Sequence, residues 1–329
     1  MFEGVLPAII TPFKRNPSMD LDLPGLEKNI GFLLSRGIHG IVPCGSTGES
    51  ATLTFEEHEK VIEVTVDKVN GKIPVLAGTG SNNTAEAIRL TKAAKDIGAD
   101  GVLAISPYYN KPNRAGLIKH YHKLADLDIP VIVYNVPSRT GQNLEPDLIA
   151  ELAQHPNIWG VKEASGNIGQ ISRIIEETQD DDFIVISGDD NITLPIMALG
   201  GAGVISVAAN IDPARMVEMY DAILKSDYQK ALVLNFALSP LFRSMFIDTN
   251  PIPVKKAVEL MGMAGGPVRL PLDELDAKKT EQLKKVLATL PKDAVKKAAP
   301  KKTAVKKVVR KATPVKAAPK KTSARTVRR

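Results

Sequence analysis

Short runs of β-branched and apolar residues recur along the chain from residue 4 to about residue 225, and a stretch with apolar residues at helical spacing follows each one. The runs are 5–11, 40–43, 74–78, 101–106, 131–135, 160–163, 184–187 and 204–207. Several are almost continuously apolar, as parallel strands covered on both faces must be. Between them Ala85, Ile88, Ala93, Ala94 and Ile97 show the helical pattern, which closes at Gly98. Eight βα units in about 220 residues predict an α/β fold of one kind, the (β/α)8 TIM barrel. A doubly wound open sheet would place a Gly-rich dinucleotide fingerprint after its first strand, and none is present. The predicted organisation is therefore a catalytic barrel over 1–225, then a C-terminal helical region over 226–291. That region holds helical segments at 228–247, 252–262 and 273–290. Residues 292–329 repeat Lys-Lys with Ala, Pro, Thr and Val between, a composition that cannot build a core and predicts a disordered basic tail.

Charge divides along the same boundary. The whole chain carries a formal +6, yet residues 292–329 hold 15 Lys and Arg against one acid, Asp293. The remaining 291 residues carry 28 basic and 36 acidic groups, so the body is an acidic globule and the basicity belongs to the tail. One cysteine, Cys44, excludes an internal disulfide and fits a reducing cytoplasm. The N-terminus has no basic segment ahead of a long apolar stretch, so neither a signal peptide nor a membrane span is expected.

In such barrels the residues at strand C-termini and in the loops after them face the active site. The candidate segments are 45–50, 107–110, 134–141, 162–166 and 187–190, all polar, hydroxyl-bearing or glycine-rich. Lys162 ends one apolar run and Tyr134 ends the run before it. An amine beside a phenol suits Schiff-base chemistry on a keto acid: apolar surroundings favour the neutral, nucleophilic amine, and the phenol can shuttle protons. The alternative for Lys162 is a solvated strand terminus. Gly45-Ser46-Thr47-Gly48 can bring backbone N–H groups and two hydroxyls to a carboxylate, or be a plain strand-to-helix turn. Thr47 and Tyr109 extend a hydroxyl relay to Tyr134, with aromatic packing as the alternative for Tyr109. Arg139 offers a forked donor to a second carboxylate. Asp189 and Asp190 are adjacent acids without spaced partners, a poor metal set, and read as loop and helix N-cap residues.

Three of these segments, Gly45-Ser46-Thr47-Gly48-Glu49, Tyr134-Asn135-Val136-Pro137-Ser138-Arg139-Thr140-Gly141 and Gly160-Val161-Lys162-Glu163-Ala164-Ser165-Gly166, resemble signatures of the pyruvate-dependent class I aldolase superfamily. Within it the chain resembles the dihydrodipicolinate synthase family, over residues 1 to about 290. The resemblance implies a cytoplasmic lyase of lysine and diaminopimelate biosynthesis that condenses pyruvate with L-aspartate-4-semialdehyde. Lys162 would form the pyruvate imine, Ser46 and Thr47 would hold the pyruvate carboxylate, and Arg139 would bind the second substrate. Tyr134, Thr47 and Tyr109 would move protons, and Gly188 and Ile205 match positions lining the pyruvate pocket. No cofactor or metal is implied beyond the covalent imine. A homotetramer, a dimer of dimers, is implied, because the tyrosine matching Tyr109 reaches into the neighbouring subunit's site. Ser46 stands where the synthases more often have Thr and where the sister N-acetylneuraminate lyases have Ser. Arg139, absent from the lyase pattern, favours the synthase.

The resemblance also implies a lysine regulatory site at Ser50, Ala51, His58, Asn82, Glu86 and Tyr108, with Phe55 replacing a histidine found in some sensitive enzymes. The alternative is that Glu86 and His58 are ordinary exposed helix residues. The tail looks like those of histone-like proteins and implies non-specific nucleic-acid contact, beside the plainer reading of a solubilising extension. A nucleic-acid-binding protein on an inactive barrel is the rival class, and the presence of Lys162, Tyr134, Thr47, Tyr109 and Arg139 argues for the enzyme.

Overall fold

The computed structural model describes residues 2–291. Seven parallel strands form one sheet: β1 (Gly4–Pro7), β2 (Leu76–Gly78), β3 (Gly101–Ile105), β4 (Val131–Asn135), β5 (Ile158–Glu163), β6 (Ile184–Ser187) and β7 (Gly203–Ser206). Their order is β1-β7-β6-β5-β4-β3-β2, sequential but for the step that returns β7 to β1. The expected eighth strand, 40–43, is not a regular strand. It closes the ring through two parallel bridges, Ala8 to Val42 and Ile41 to Val75. Its hydrogen bonds are nonetheless those of a ladder: the Val42 N–H donates to Pro7 O at 2.9 Å and the Leu76 N–H to Ile41 O at 2.9 Å. Pro43 brings no N–H, though its carbonyl still accepts from the Gly78 N–H at 2.9 Å, and Cys44 turns into the left-handed region at φ 55°, where the run ends.

The helices that follow the strands are α1 (Leu23–Leu34), α2 (Phe55–Val69), α3 (Thr84–Ile97), α4 (Arg114–Ala125), the one-turn α5 (Pro137–Thr140), α6 (Pro146–Ala153), α7 (Ile168–Glu177), α8 (Thr193–Ala198) and, after β7, α9 (Pro213–Leu224). Their starts are written in the sequence. Thr54 and Glu57 form a reciprocal capping box on α2, and Asn83 and Asn113 cap α3 and α4. Three more helices follow, α10 (Tyr228–Ser244), α11 (Ile252–Leu260) and α12 (Ala277–Leu287). The last begins four residues later than the sequence pattern suggests, because Asp276 accepts from the Lys279 N–H and sets the N-cap there.

Three apolar clusters hold the body together. One fills the barrel interior, with Leu6, Val42, Leu76, Leu103, Ile132, Ile186 and Ile205 among its members. A second lies between the sheet and the outer helices, and a third packs α9–α12 against β1 and β7 through Met216, Leu238, Phe242 and Val254. The C-terminal helices therefore share a core with the barrel rather than standing apart. Among the described residues no helix is long and apolar enough to cross a membrane. The expectations for the 292–329 tail lie outside the described residues.

Candidate active site

The register of the parallel sheet sets the site. Ile105 pairs with Tyr134, Tyr134 with Lys162, and Lys162 with Ile186, so one level of the barrel carries the phenol and the amine side by side. Strand alternation turns their successors, Asn135 and Glu163, to the other face. There the Asn135 amide donates to Glu163 at 2.9 Å, and Glu163 also accepts from the Ser165 N–H at 2.6 Å. This buried clamp fixes the two strand ends against each other.

Lys162 is 7% exposed and its Nζ lies 4.1 Å from the centroid of the Tyr134 ring. Burial brings its pKa down from 10.5 to about 7; the Asp190 carboxylate opposes this and the Arg139 guanidinium adds to it. Tyr134 moves the other way, pushed up to about 12 mainly by burial, so its phenol stays protonated while the same burial favours the neutral amine of Lys162. Gly188 is the residue that makes room: a Cβ there would meet Ala164 Cβ at 2.7 Å and Lys162 Cε at 3.1 Å.

The loop after the closing segment meets this pair from across the barrel mouth. It is drawn into a tight curl by Gly48 N–H to Gly45 O at 3.0 Å and Glu49 N–H to Ser46 O at 3.2 Å. The Thr11 hydroxyl donates to Gly48 O at 2.7 Å. Among the described residues the N–H groups of Ser46 and Thr47 donate to no backbone carbonyl, which leaves them for a ligand. The Thr47 hydroxyl accepts from Asn250 Nδ2 at 3.0 Å, so its own proton is available to a neighbour. Asn250 in turn accepts from Arg139 Nη2 at its backbone O, 3.0 Å away, and its buried Oδ1 has no partner among the described residues.

A single cavity of about 790 Å³ takes in most of the expected residues: Ser46, Thr47, Tyr134, Arg139, Lys162 and Gly188. Ser50, Ala51, His58, Glu86 and Tyr108 line the same cavity. Three expected residues are not among its walls. Ile205, 1% exposed, is taken up in the barrel-interior cluster that also holds Tyr134 and Ile186. Asn82 is tied outside by its carbonyl, which accepts from Asn110 Nδ2 at 2.8 Å. Tyr109 is 88% exposed at φ 71° and does not line the cavity that holds this chain's own Lys162.

Other expectations need correcting. Asp189 does cap a turn, accepting from the Asn191 N–H at 2.9 Å, but Asp190 is no loop or cap residue. It is 1% exposed, its Oδ2 accepts from the Val207 and Ala208 N–H groups at 3.1 and 2.9 Å, and burial raises its carboxyl to about 6. The reading of His58 as an exposed helix residue also fails. It is 4% exposed with Nε2 2.7 Å from Gly78 O, and since a carbonyl only accepts, Nε2 carries the proton. Glu86 is exposed, accepting from the Ser81 hydroxyl at 2.8 Å, and Phe55 stacks under Arg89 at 3.9 Å. Asn250, Asp190 and the partners of Glu49 escape sequence reasoning. Each lies far along the chain from the group it serves, and an Asn-Pro before a helix looks like any turn.

The profile of the dihydrodipicolinate synthetase family matches residues 1–290. The chain belongs to the dihydrodipicolinate synthetase family. It is accordingly an enzyme of the lyase class. A family relative from Methanoculleus marisnigri named 4-hydroxy-tetrahydrodipicolinate synthase is 73% identical over 287 residues, 87% of this chain and 99% of that one. A chloride-inhibited dihydrodipicolinate synthase of Acinetobacter baumannii, solved in complex with pyruvate, is 41% identical with a TM-score of 0.84. That match covers 88% of this chain and 99% of the other. The family enzyme of Cyanidioschyzon merolae, solved with lysine bound, is 38% identical with a TM-score of 0.84, over 88% of this chain and 98% of that one. The barrel and its helical layer are thus the family's fold.

Proposed function

We propose that the chain is a 4-hydroxy-tetrahydrodipicolinate synthase that condenses pyruvate with L-aspartate-4-semialdehyde through an imine on Lys162. The observation that carries this reading is the buried Lys162 amine, its Nζ 4.1 Å from the centroid of the Tyr134 ring near the end of β5, where burial lowers its pKa to about 7. Neutral Lys162 attacks the pyruvate carbonyl, and Tyr134 supplies the proton with which the carbinolamine hydroxyl leaves as water, giving the imine. Loss of a C3 proton gives the enamine, whose C3 attacks the aldehyde carbon of the second substrate. The amino group of that adduct then displaces Lys162 from the imine carbon and closes the ring. The N–H groups of Ser46 and Thr47 receive the pyruvate carboxylate, and Arg139 receives that of the aldehyde substrate. In this reading the imine itself is the electron sink, so no further cofactor takes part.

The exposed, left-handed Tyr109 supports a trans role in a homotetramer, in which a neighbour's tyrosine completes each hydroxyl relay. The presence of Ser50, Ala51, His58, Glu86 and Tyr108 in the cavity that also reaches Lys162 supports lysine as a feedback ligand. A buried thiol as the one cysteine fits a cytoplasmic enzyme. The test is turnover of both substrates coupled to an NADPH-consuming reductase, with Lys162→Ala as control and N-acetylneuraminate cleavage assayed alongside. Turnover lost in the variant is expected. Pyruvate trapped on Lys162 by borohydride without condensation would keep the imine and replace the acceptor.

A further inference from the structure

Lys255 is as buried as any leucine of the core, with its side chain 1% exposed, and it lies in the C-terminal layer, far in sequence from the catalytic strands. Its Nζ donates to Glu49 Oε1 at 2.5 Å and to Pro267 O at 2.6 Å, and sits 4.2 Å over the centroid of the Phe13 ring. The second carboxylate oxygen of Glu49 accepts from the Arg269 N–H at 3.0 Å. Arg269 then reaches on to Glu57 with two bonds of 2.6 Å. Every charge in this group has a partner, so the desolvated pair is complete.

Such a pair is a poor source of stability, since burying two ions cancels most of their attraction and apolar side chains of the same size would serve as well. What it does supply is position. Glu49 is the residue at which the ligand-binding curl ends, in the left-handed region at φ 53° and ψ 37°. Thr47, two residues earlier, is held by Asn250. Both anchors come from one stretch at the start of α11, so residues 250–255 grip the loop at two points.

We propose that Lys255 is a positioning residue for pyruvate binding, its buried pair with Glu49 holding the Gly45–Ser50 loop so that the Ser46 and Thr47 N–H groups converge on the keto-acid carboxylate. The inference rests on the reading of this loop as the pyruvate site. Lys255 touches neither Lys162 nor Tyr134, so its effect belongs to affinity and not to the chemical steps.

The experiment measures pyruvate affinity from borohydride-trapped imine on the intact enzyme, beside steady-state constants and thermal melts. Variants are Lys255→Met, the charge-free double variant Glu49→Leu/Lys255→Met, and Leu283→Ala as a core control away from the loop. Lys255→Met is expected to weaken pyruvate at least tenfold with kcat within about twofold. The double variant should recover melting temperature while pyruvate stays weak, and Leu283→Ala should melt lower with affinity unchanged. Should Lys255→Met not fold, the double variant carries the test. Wild-type affinity in Lys255→Met, or in the double variant, would overturn the proposal and leave the pair a structural element only. No trapped imine in the wild type would instead overturn the pyruvate reading itself.

Discussion

The pH dependence of imine formation tests the site most directly. A lysine amine in water titrates near 10.5, and Lys162 is brought to about 7. That difference biases the group toward its neutral form by about 5 kcal/mol, at 1.36 kcal/mol per pH unit. At pH 7 about half the sites hold a nucleophilic amine, against about one in three thousand for a free lysine. The assay is the initial rate of borohydride-trapped adduct with pyruvate alone, which leaves the second substrate out. The rate is expected to rise about tenfold per unit below pH 6.5 and to level off above about 8. Two substitutions then move the inflection in opposite directions. Arg139→Gln removes a cation that lowers the Lys162 pKa, so the inflection rises; Asp190→Asn removes the carboxylate that raises it, so the inflection falls. Asp190 itself titrates near 6, so in the wild type its support for the ammonium fades at the acidic end of the profile. An inflection above about 9, or a shift of the same sign in both variants, would refute the electrostatic account.

Further outcomes follow from the same geometry. Lys162 binds fewer protons folded than unfolded between pH 7 and 10.5, so its burial costs stability that is full below about 7 and vanishes as pH rises to 10.5. Lys162→Met should therefore be more stable than wild type at pH 7, by up to about 4 kcal/mol in a denaturant titration, with the gap closing by pH 10.5. Tyr109→Phe and Lys162→Ala chains, each nearly inactive, should regain activity when mixed through unfolding and refolding, because one of the two sites in a mixed pair is then intact. No regain would place Tyr109 outside catalysis in trans. Lysine at millimolar concentration should inhibit, and Glu86→Ala should abolish the inhibition; activity flat with rising lysine disposes of the regulatory reading. The full chain should bind DNA or RNA at low salt with a steep salt dependence, and a chain ending at Pro291 should not. Equal retention of both on a nucleic-acid column would assign the tail another role.

The parts of this fold that sequence reveals are those governed by local periodicity. Apolar runs and helical stripes give seven strands and the helix order, and the capping residues Thr54, Asn83 and Asn113 mark where helices begin. The 40–43 run shows the limit: its composition is that of a strand, but Pro43 and the left-handed Cys44 reduce it to two bridges. For the site, Lys162, Tyr134 and the Gly45–Gly48 curl were legible because a barrel puts strand ends on one rim and the motifs lie at those ends. Asp190 was not, since an Asp-Asp pair says nothing about which acid turns inward; only the N–H groups of Val207 and Ala208 decide it. Lys255 looks in the sequence like any polar position on a helix, because the carboxylate that explains it lies 206 residues away.

The curl from Gly45 to Ser50 joins two readings that the sequence treats separately. Its first half carries Ser46 and Thr47, proposed above as the keto-acid site, and its end leads through Ser50 and Ala51 to the part of the cavity lined by His58, Glu86 and Tyr108. A ligand at either end can bias the other through this curl if its backbone moves as a unit, since affinity transmits through the states of what lies between. Glu49 stands at the end of the curl, where it meets Ser50 and Ala51, and Lys255 holds it. Coupling is reciprocal, so the factor by which lysine weakens pyruvate must equal the factor by which pyruvate weakens lysine. In wild type that factor should be about five or more by calorimetry, the lower end of ordinary allosteric coupling. In Lys255→Met the curl loses its rigid link and both factors should fall together toward one. A variant that keeps full coupling while losing pyruvate affinity would show that the signal travels past this loop, through Tyr108 and the neighbouring subunit.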